Sequence, residues 1–354
     1  MDRPTGCLPC HAGAGLIAAG EVRMAPLLGL PQLLAGHGRD PHVTIRAAGV
    51  DPARFTDPEN SIGFTTVGRL LTQAAADTGN PCLGLTLCRH HGLDVLGLLG
   101  RAVRLAPDVG SALRALILHL HLHDRGAVPA LWEAGPHALF GYSIDCADVL
   151  GTQHIYDCAL AVMQNILREL AGPGWRATEV RLFRTAPALL TPYRQLYRAP
   201  LRFGAQQAAV VFPAADLKRP CPEADPLAYA AALRQLAALE TRADARLADQ
   251  VQRVLYRLFM SGEVEATDLA GIARLFALHP RTLNRRLRAE GTSFKAVLEA
   301  TRYAIARQLL RDTRLPANDI ALALGYGSAA AFGHAFRRWS GTTAIRWRSR
   351  HGAA

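Results

Sequence analysis

The residues with the clearest chemical potential lie on one face of a short predicted helix near the end of the chain. Pro280 suits the first turn of a helix, and Leu283 and Leu287 then fall on one side of it. At about 100° per residue, a polar set points to the other side. It comprises three arginines and, at its edge, an asparagine: Arg281, Arg285, Arg288 and Asn284. Guanidinium groups in such a row present paired hydrogen-bond donors to an anion or to two neighbouring hydrogen-bond acceptors.

The positive charge of the chain is concentrated in the same region. The formal net charge is +11, and residues 267–354 carry 15 Lys/Arg against five Asp/Glu, whereas the preceding residues are almost neutral. A basic segment beside a neutral one is typical of nucleic-acid binding, because cationic side chains displace counterions condensed on phosphate. A solvated charged face or a compositional bias is the alternative, but a bias would not gather the excess at one end.

Helical periodicity predicts two helix-turn-helix units in this basic segment. The first runs from Asp268 through a turn at 277–279 into the arginine-rich helix, and the second runs from Ala317 through a turn at 325–327 to a helix capped by Ser328. Their predicted apolar core comprises Leu269, Ile272, Phe276, Leu283, Leu287, Ile320, Leu324, Phe332, Phe336 and Trp339. A helix over 294–311, about 27 Å long, separates the units and suits two major-groove faces about 34 Å apart.

These residues resemble the AraC/XylS family of transcription regulators. Residues 278–287, LHPRTLNRRL, resemble the family's first recognition helix. Residues 320–326, IALALGY, followed by Phe332, AFRRW at 335–339 and Gly341, resemble its second unit. The resemblance covers roughly residues 267–350 and implies that residues 263–354 form a sequence-specific double helix-turn-helix DNA-binding domain.

The resemblance also implies which residues contact DNA. The base-reading positions fall on Arg281, Asn284 and Arg285, where arginine can pair with guanine and asparagine with adenine. In the second unit they fall on Ala329, Ala330 and His334, a departure from the polar residues usual there, so this unit is expected to hold phosphates more than it reads bases. The expected backbone contacts are Arg286, Arg288, Arg337 and Arg338. Ala344 replaces a common proline, which puts only the geometry of the tail in doubt.

The earlier part of the chain resembles the arabinose-binding-type sensor domain of one branch of the family. The resemblance rests on residues 80–85, 109–113 and 201–205. It implies an effector-binding domain over 24–222, with 223–262 as a helical linker that could also pair two subunits. It does not identify the effector or the residues that bind it.

Periodicity in this front part predicts an α+β domain with a helical first half and a small sheet. Helices are expected at 64–78, 111–123, 152–170, 187–197 and 227–260, and strands at 131–133, 138–144, 178–183, 201–204 and 208–212. We expect the pairs 131–133 with 138–144 and 201–204 with 208–212. The fold class is thus an α+β sensor domain followed by an all-α domain of two helix-turn-helix units joined by a long helix.

Other chemistries find weaker support. His119 and His123 share a face of the predicted helix and could chelate one ion, but no acidic pair accompanies them, so no metal or other cofactor is expected. The cysteines at 82, 88, 146 and 158 lie in no catalytic motif, and phosphate-loop, nucleophile-elbow and HExxH motifs are absent. Cys7 and Cys10 fit a haem-attachment string only by chance. A metal- or thiol-responsive regulator and, less so, a DNA-directed enzyme with a reactive cysteine remain alternatives.

The length and composition suit two folded domains without a membrane span. An odd number of dispersed cysteines is typical of a reducing cytoplasm. Met24 is a plausible start, so residues 1–23 are expected to be non-native or disordered. We expect a cytoplasmic regulator, not an enzyme, that binds promoter DNA, a small effector and RNA polymerase, activates transcription, and could form a homodimer.

Overall fold

The computed structural model describes residues 17–18, 20–144, 146, 149–205, 207–242, 246–261, 263–276, 278–312 and 315–351. The strands are β1 (Glu21–Arg23), β2 (Ser61–Gly63), β3 (Ala127–Ala134), β4 (His137–Ile144), β5 (Glu179–Arg181), β6 (Leu201–Arg202) and β7 (Ala208–Pro213). The helices of the first domain are α1 (Leu30–Gly36), α2 (Pro41–Ala47), α3 (Phe64–Thr78), α4 (Leu83–Cys88), α5 (Gly97–Arg104), α6 (Val109–His119), α7 (Thr152–Ala171) and α8 (Thr191–Tyr197). The later helices are α9 (Pro226–Arg242), α10 (Leu247–Ser261), α11 (Leu269–Leu275), α12 (Pro280–Ala289), α13 (Phe294–Asp312), α14 (Ala317–Ala323), α15 (Ala329–Ser340) and α16 (Ala344–His351).

A five-stranded sheet with the order β3-β4-β7-β5-β6 forms the centre of the first domain. All its neighbours are antiparallel except β5 and β6, which run parallel. The predicted pair β3 and β4 is confirmed, and the two strands meet at a tight turn where Gly135 has a positive φ of 60°. The predicted pairing of β6 with β7 is wrong, because β7 inserts between β4 and β5 and leaves β6 on the far side of β5.

The helix boundaries follow local signals where these are strong. Helix α3 spans the predicted residues and ends at Gly79, which adopts the left-handed conformation at φ 64°. Helix α6 is shorter than predicted: it ends at His119, and a 3-10 turn, Leu120–Leu122, follows. Helix α8 begins four residues later than expected, at Thr191. The helical stretch predicted over 227–260 is two helices, α9 and α10. None of the described helices combines the length and apolarity needed to cross a bilayer.

The folded part of the first domain includes residues before Met24. Strand β1 pairs antiparallel with β2, and the side chain of Ile17 is only 3% exposed. The backbone of β1 also bonds to the segment that follows α6, since Arg23 N donates to His123 O and Arg125 N donates to Glu21 O. Residues 20–23 therefore belong to the folded first domain. Cys7, Cys10 and the rest of 1–16 lie outside the described residues.

The buried apolar residues form two clusters. The first joins the sheet of the front domain to its helices and extends to Leu236 of α9. The second joins α10 to helices α11–α16 and also takes in Val128 of β3. Helix α10, which the sequence assigns to the linker, therefore belongs to the core of the second domain. It also contacts the first domain, where Tyr256 OH donates to Ile144 O at 3.3 Å.

A buried ion pair fixes α7 to the segment that precedes α8. Asp157 is 1% exposed at its side chain, and its Oδ2 accepts hydrogen bonds from Arg184 Nη1 at 2.7 Å and from Tyr193 OH at 2.6 Å. The same guanidinium nitrogen donates to Pro81 O at 3.0 Å. Removing one partner of such a pair leaves an uncompensated buried charge, which is more costly than the pair is stabilising.

We expect Asp157→Ala to lower the free energy of unfolding by about 3 kcal/mol, because Arg184 would then lack its counterion in the core. The control is Glu179→Ala, which removes a partly exposed pair with Arg181 and should cost less than about 1 kcal/mol. Urea unfolding of both variants measures the difference. Equal losses of unfolding free energy in the two variants would mean that the buried pair stabilises the fold no more than the exposed pair does.

Candidate nucleic-acid interface

Helix α12 presents its arginines to solvent and its leucines to the core. Leu283 and Leu287 are completely buried. Four arginines of the helix are exposed: Arg281, Arg285, Arg286 and Arg288. Pro280 occupies the first turn, and Arg281 N donates to Nδ1 of the N-cap residue His279 at 3.3 Å. The cationic row predicted from the sequence is thus on the outer surface of the helix, fixed by two buried anchors.

The ten predicted core residues all lie in or against the second apolar cluster. Seven are completely buried: Ile272, Leu283, Leu287, Ile320, Leu324, Phe332 and Phe336. Leu269, Phe276 and Trp339 are partly buried and pack against them. Asp268 Oδ1 accepts from Gly271 N at 2.6 Å at the start of the first unit, and Ser328 Oγ accepts from Ala331 N at 3.2 Å, which caps the second helix of the second unit as expected. Ala277, in the predicted first turn, lies outside the described residues.

Asn284 differs from the arginines of its helix. Its side chain is half-buried, and Phe294 N donates to its Oδ1 at 3.5 Å. Asn284 therefore contacts the first residue of α13 in this structure, and reading a base would require exchanging that long hydrogen bond for one to DNA.

In the second unit the exposed face of α15 begins with alanines. Ala330 and His334 are exposed and Ala329 is half-exposed. The two arginines at the end of the helix have different surroundings. Arg338 pairs with Glu299 of α13 at 2.8 Å, whereas no described residue lies within ion-pair distance of Arg337, which is exposed.

Helix α13 connects the units and is anchored by an arginine that sequence reasoning missed. Its 19 residues correspond to about 28 Å. The Arg302 guanidinium carbon lies 4.9 Å from the ring centre of Tyr326, in the turn of the second unit, and 5.6 Å from that of Phe259 in α10. This cation–π sandwich holds α10, α13 and the second turn together. No local pattern distinguishes Arg302 from the surface arginines.

Glu290, at the end of α12, caps the first turn of α10. Its Oε1 accepts from Leu247 N at 2.7 Å and its Oε2 accepts from Ala248 N at 2.9 Å, while Arg246 donates to its backbone oxygen at 2.7 Å. A carboxylate at a helix N-terminus satisfies unpaired N–H groups and complements the helix dipole. The capped helix precedes Glu290 by over forty residues, so the sequence offered no signal for this contact.

The tail forms a further helix, α16, in spite of the alanine at position 344. Thr343 Oγ1 accepts from Arg346 N at 3.3 Å at its start, and Trp347 packs edge-on against Phe336 with ring centres 6.1 Å apart. Arg346 and Arg350 are exposed and add two cations to this domain.

The structure places His119 and His123 in different local elements, whereas it brings two of the candidate cysteines, Cys88 and Cys158, into side-chain contact. His119 ends α6 and His123 follows the 3-10 turn, so the two no longer share a helical face. No group of three or more His, Cys, Asp or Glu within the described residues could hold a metal ion. The thiols of Cys82, Cys88 and Cys158 are buried, and Cys146 is half-exposed.

Two family models match the chain and cover most of it. Residues 38–221 match the N-terminal arabinose-binding domain of AraC transcription regulators, and residues 272–350 match a helix-turn-helix domain. The chain belongs to the AraC family of transcription regulators.

Curated relatives are similar to this chain over most of their length. The regulator VirS of Mycobacterium tuberculosis is 29% identical, with 94% of this chain and 98% of VirS covered. An uncharacterized HTH-type regulator of Mycobacterium bovis is 30% identical over 82% of this chain and 86% of its own. The crystal structure of the regulator CdpR from Pseudomonas aeruginosa, 23% identical, covers 87% of this chain and 96% of its own with a TM-score of 0.43. This AraC-family protein is a DNA-binding transcription regulator with an N-terminal ligand-binding domain.

We expect a fragment starting at Arg246 to be far more stable than one starting at Thr267. The shorter fragment lacks α10, whose Val251, Leu255 and Tyr256 are completely buried and worth about 1.5–3 kcal/mol each. Thermal unfolding followed by circular dichroism compares the two. Equal melting temperatures would show that α10 is dispensable to this core.

Proposed function

We propose that the first helix-turn-helix unit of this regulator carries most of its sequence specificity. The supporting observation is the outer face of α12, where Arg281 and Arg285 are exposed and have no ion-pair partner among the described residues. An unpaired guanidinium need not give up an internal counterion before it pairs with guanine in the major groove. Asn284 is expected to contribute less to base recognition, because its Oδ1 already accepts a hydrogen bond from Phe294 N.

The second unit is proposed to hold the DNA backbone. The side chains of Ala329 and Ala330 have no hydrogen-bond donors and can contact only a thymine methyl group. His334 is the polar residue among the three expected base-reading positions of this unit. Arg337 is exposed and free to meet phosphate, as are Arg286 and Arg288 of the first unit. Arg338 would have to exchange Glu299 for phosphate, so its contribution to affinity is expected to be smaller than that of Arg337.

The regulator is proposed to act in the cytoplasm by binding rather than by catalysis, since the curated relatives compared above are regulators. A small effector in the N-terminal domain would control promoter binding, and activation would proceed through contact with RNA polymerase. A homodimer is proposed through the linker region, where α9 leaves Leu227 85% exposed at its start. Analytical ultracentrifugation of the full-length protein tests this proposal directly.

Binding-site selection on full-length variants tests the division between the units. Arg281→Ala and Arg285→Ala should each relax base preference at one or two positions of a half-site, because a good bidentate contact gives about 1–3 kcal/mol of discrimination. Arg337→Ala should weaken all sequences alike and reduce the slope of log affinity against log salt by about 1.

Arg338→Ala is the matched control for Arg337→Ala, since it removes an equal charge that is already paired. A changed base preference in Arg337→Ala, with none in Arg281→Ala and Arg285→Ala, would reverse the assignment of the two units. Salt-insensitive binding by the unaltered chain would reject the proposed interface altogether.

A further inference from the structure

The N-terminal domain contains a cavity whose walls are almost entirely apolar. It has a volume of about 110 Å³ and lies between α3, α6, α7 and the sheet. Its apolar wall includes Phe64, Val67, Leu96, Leu116, Met163 and Ile166. An engineered cavity of about 150 Å³ admits benzene, so this cavity has room for a ligand of about four or five non-hydrogen atoms.

Polar groups enter the cavity at one corner, and most of them are already satisfied. Asp124 accepts three hydrogen bonds: from Gly126 N at 2.8 Å, Ala127 N at 3.0 Å and Tyr142 OH at 2.6 Å. Arg23 donates to Leu122 O at 2.9 Å and pairs with Glu59 at 2.5 Å. The corner therefore has no uncompensated positive charge that would attract an anionic ligand.

His123 is the exception at this corner. Its side chain lines the cavity and is 5% exposed, yet its Nδ1 has no hydrogen-bond partner. Burial, and to a lesser extent the charge of Arg23, lowers the pKa of His123 to about 3, so the ring is neutral at physiological pH. A buried polar atom without a partner is costly, and a ligand that supplies the missing hydrogen bond recovers that cost.

We propose that this cavity is the effector site and that it takes a small, uncharged, mainly apolar molecule whose one hydroxyl or carbonyl group bonds to His123. The proposal rests on the regulator function proposed above and defines the chemistry of its effector. It also disfavours a sugar, despite the description of the matched family model, because a pentose would bury several hydroxyl groups against aliphatic walls.

Three probes distinguish the ligand classes on the full-length protein: 2-methylpropan-1-ol, its carboxylate counterpart 2-methylpropanoate, and L-arabinose. Calorimetry and thermal unfolding should show saturable binding and stabilisation by the alcohol alone at millimolar concentration. Tighter binding of the carboxylate or of arabinose, or no binding of the alcohol, would overturn the proposal. DNA affinity measured on the same sample tests the regulator function separately.

Two variants locate the bound alcohol. Ala159 lines the cavity from α7, and Ala159→Leu should fill the space and abolish binding. His123→Leu keeps an apolar lining but removes the hydrogen bond, so it should weaken binding about 3–10-fold. Circular dichroism checks that each variant is folded. Unchanged binding in Ala159→Leu would show that the alcohol binds elsewhere, and unchanged binding in His123→Leu would reject the role of His123.

A second observation concerns the residue that follows this corner. Arg125, 15% exposed at its side chain, pairs through Nη2 with Asp249 of α10 at 3.1 Å, and its Nη1 donates to Ile17 O at 2.9 Å. Asp249 lies in the first turn of α10, next to the two backbone N–H groups that Glu290 caps. The sensor domain and the end of the reading helix α12 thus hold the same turn.

We infer that the first turn of α10 couples the effector domain to α12. Displacement of the 123–125 segment changes the Arg125–Asp249 pair, and the cap from Glu290 transmits the change to α12. Such coupling requires that the two contacts depend on each other energetically, because spatial proximity alone does not establish it.

A double-mutant cycle on the full-length regulator measures this dependence. The DNA affinities of Asp249→Asn, Glu290→Gln and the double variant are compared with that of the unaltered chain. We expect Asp249→Asn to change the affinity at least about threefold and the double variant to depart from the sum of the two singles by a similar factor. Glu223→Gln, which removes an exposed pair with Arg104 of α5, is the control and should leave the affinity unchanged. An unchanged affinity in Asp249→Asn, or additive effects, would reject the coupling.

Discussion

The burial of helix α10 is the interaction on which the rest of the structure depends. Its inner face, with Val251, Leu255 and Tyr256 completely buried, forms part of the core that positions both helix-turn-helix units. The same helix meets β3 of the front domain, whose Val128 enters this core. Apolar burial is not directional, so one helix can serve two neighbours at once. Its first turn then becomes the place where polar contacts from both domains meet.

Three of the five acidic residues in 267–354 lie at helix starts, where negative charge is favourable. Asp268 caps α11, Asp319 lies in the first turn of α14, and Glu290 caps α10 across a long sequence separation. Glu299 of α13 pairs with Arg338 of α15. Each carboxylate at a helix start stabilises the fold without cancelling the arginines of α12. Arg281 and Arg285 thus keep no ion-pair partner among the described residues, while these carboxylates stabilise helix starts.

In the front domain, by contrast, some acidic and histidine side chains are buried inside the apolar core. Asp157 and Asp124 are both buried, and each is satisfied by a tyrosine hydroxyl and further donors. Burial raises the pKa of each of these carboxyl groups to about 6. His123 differs because its Nδ1 has no hydrogen-bond partner and its residue lines an apolar cavity. A buried polar atom that lacks a partner calls for a physical explanation, and at His123 the adjoining cavity offers one.

The sequence by itself determined the elements whose signals are local. The apolar period and the glycine stop predicted α3 to the residue, and the apolar stripes from Asp268 onward, together with the Ser328 cap, predicted both helix-turn-helix units. Only the tertiary structure decided that β7 lies between β4 and β5, that α10 belongs to the second core, that Glu290 caps it, and that His123 faces a cavity. Those features depend on residues far apart in the chain, and short-range periodicity carries no information about which distant surfaces meet.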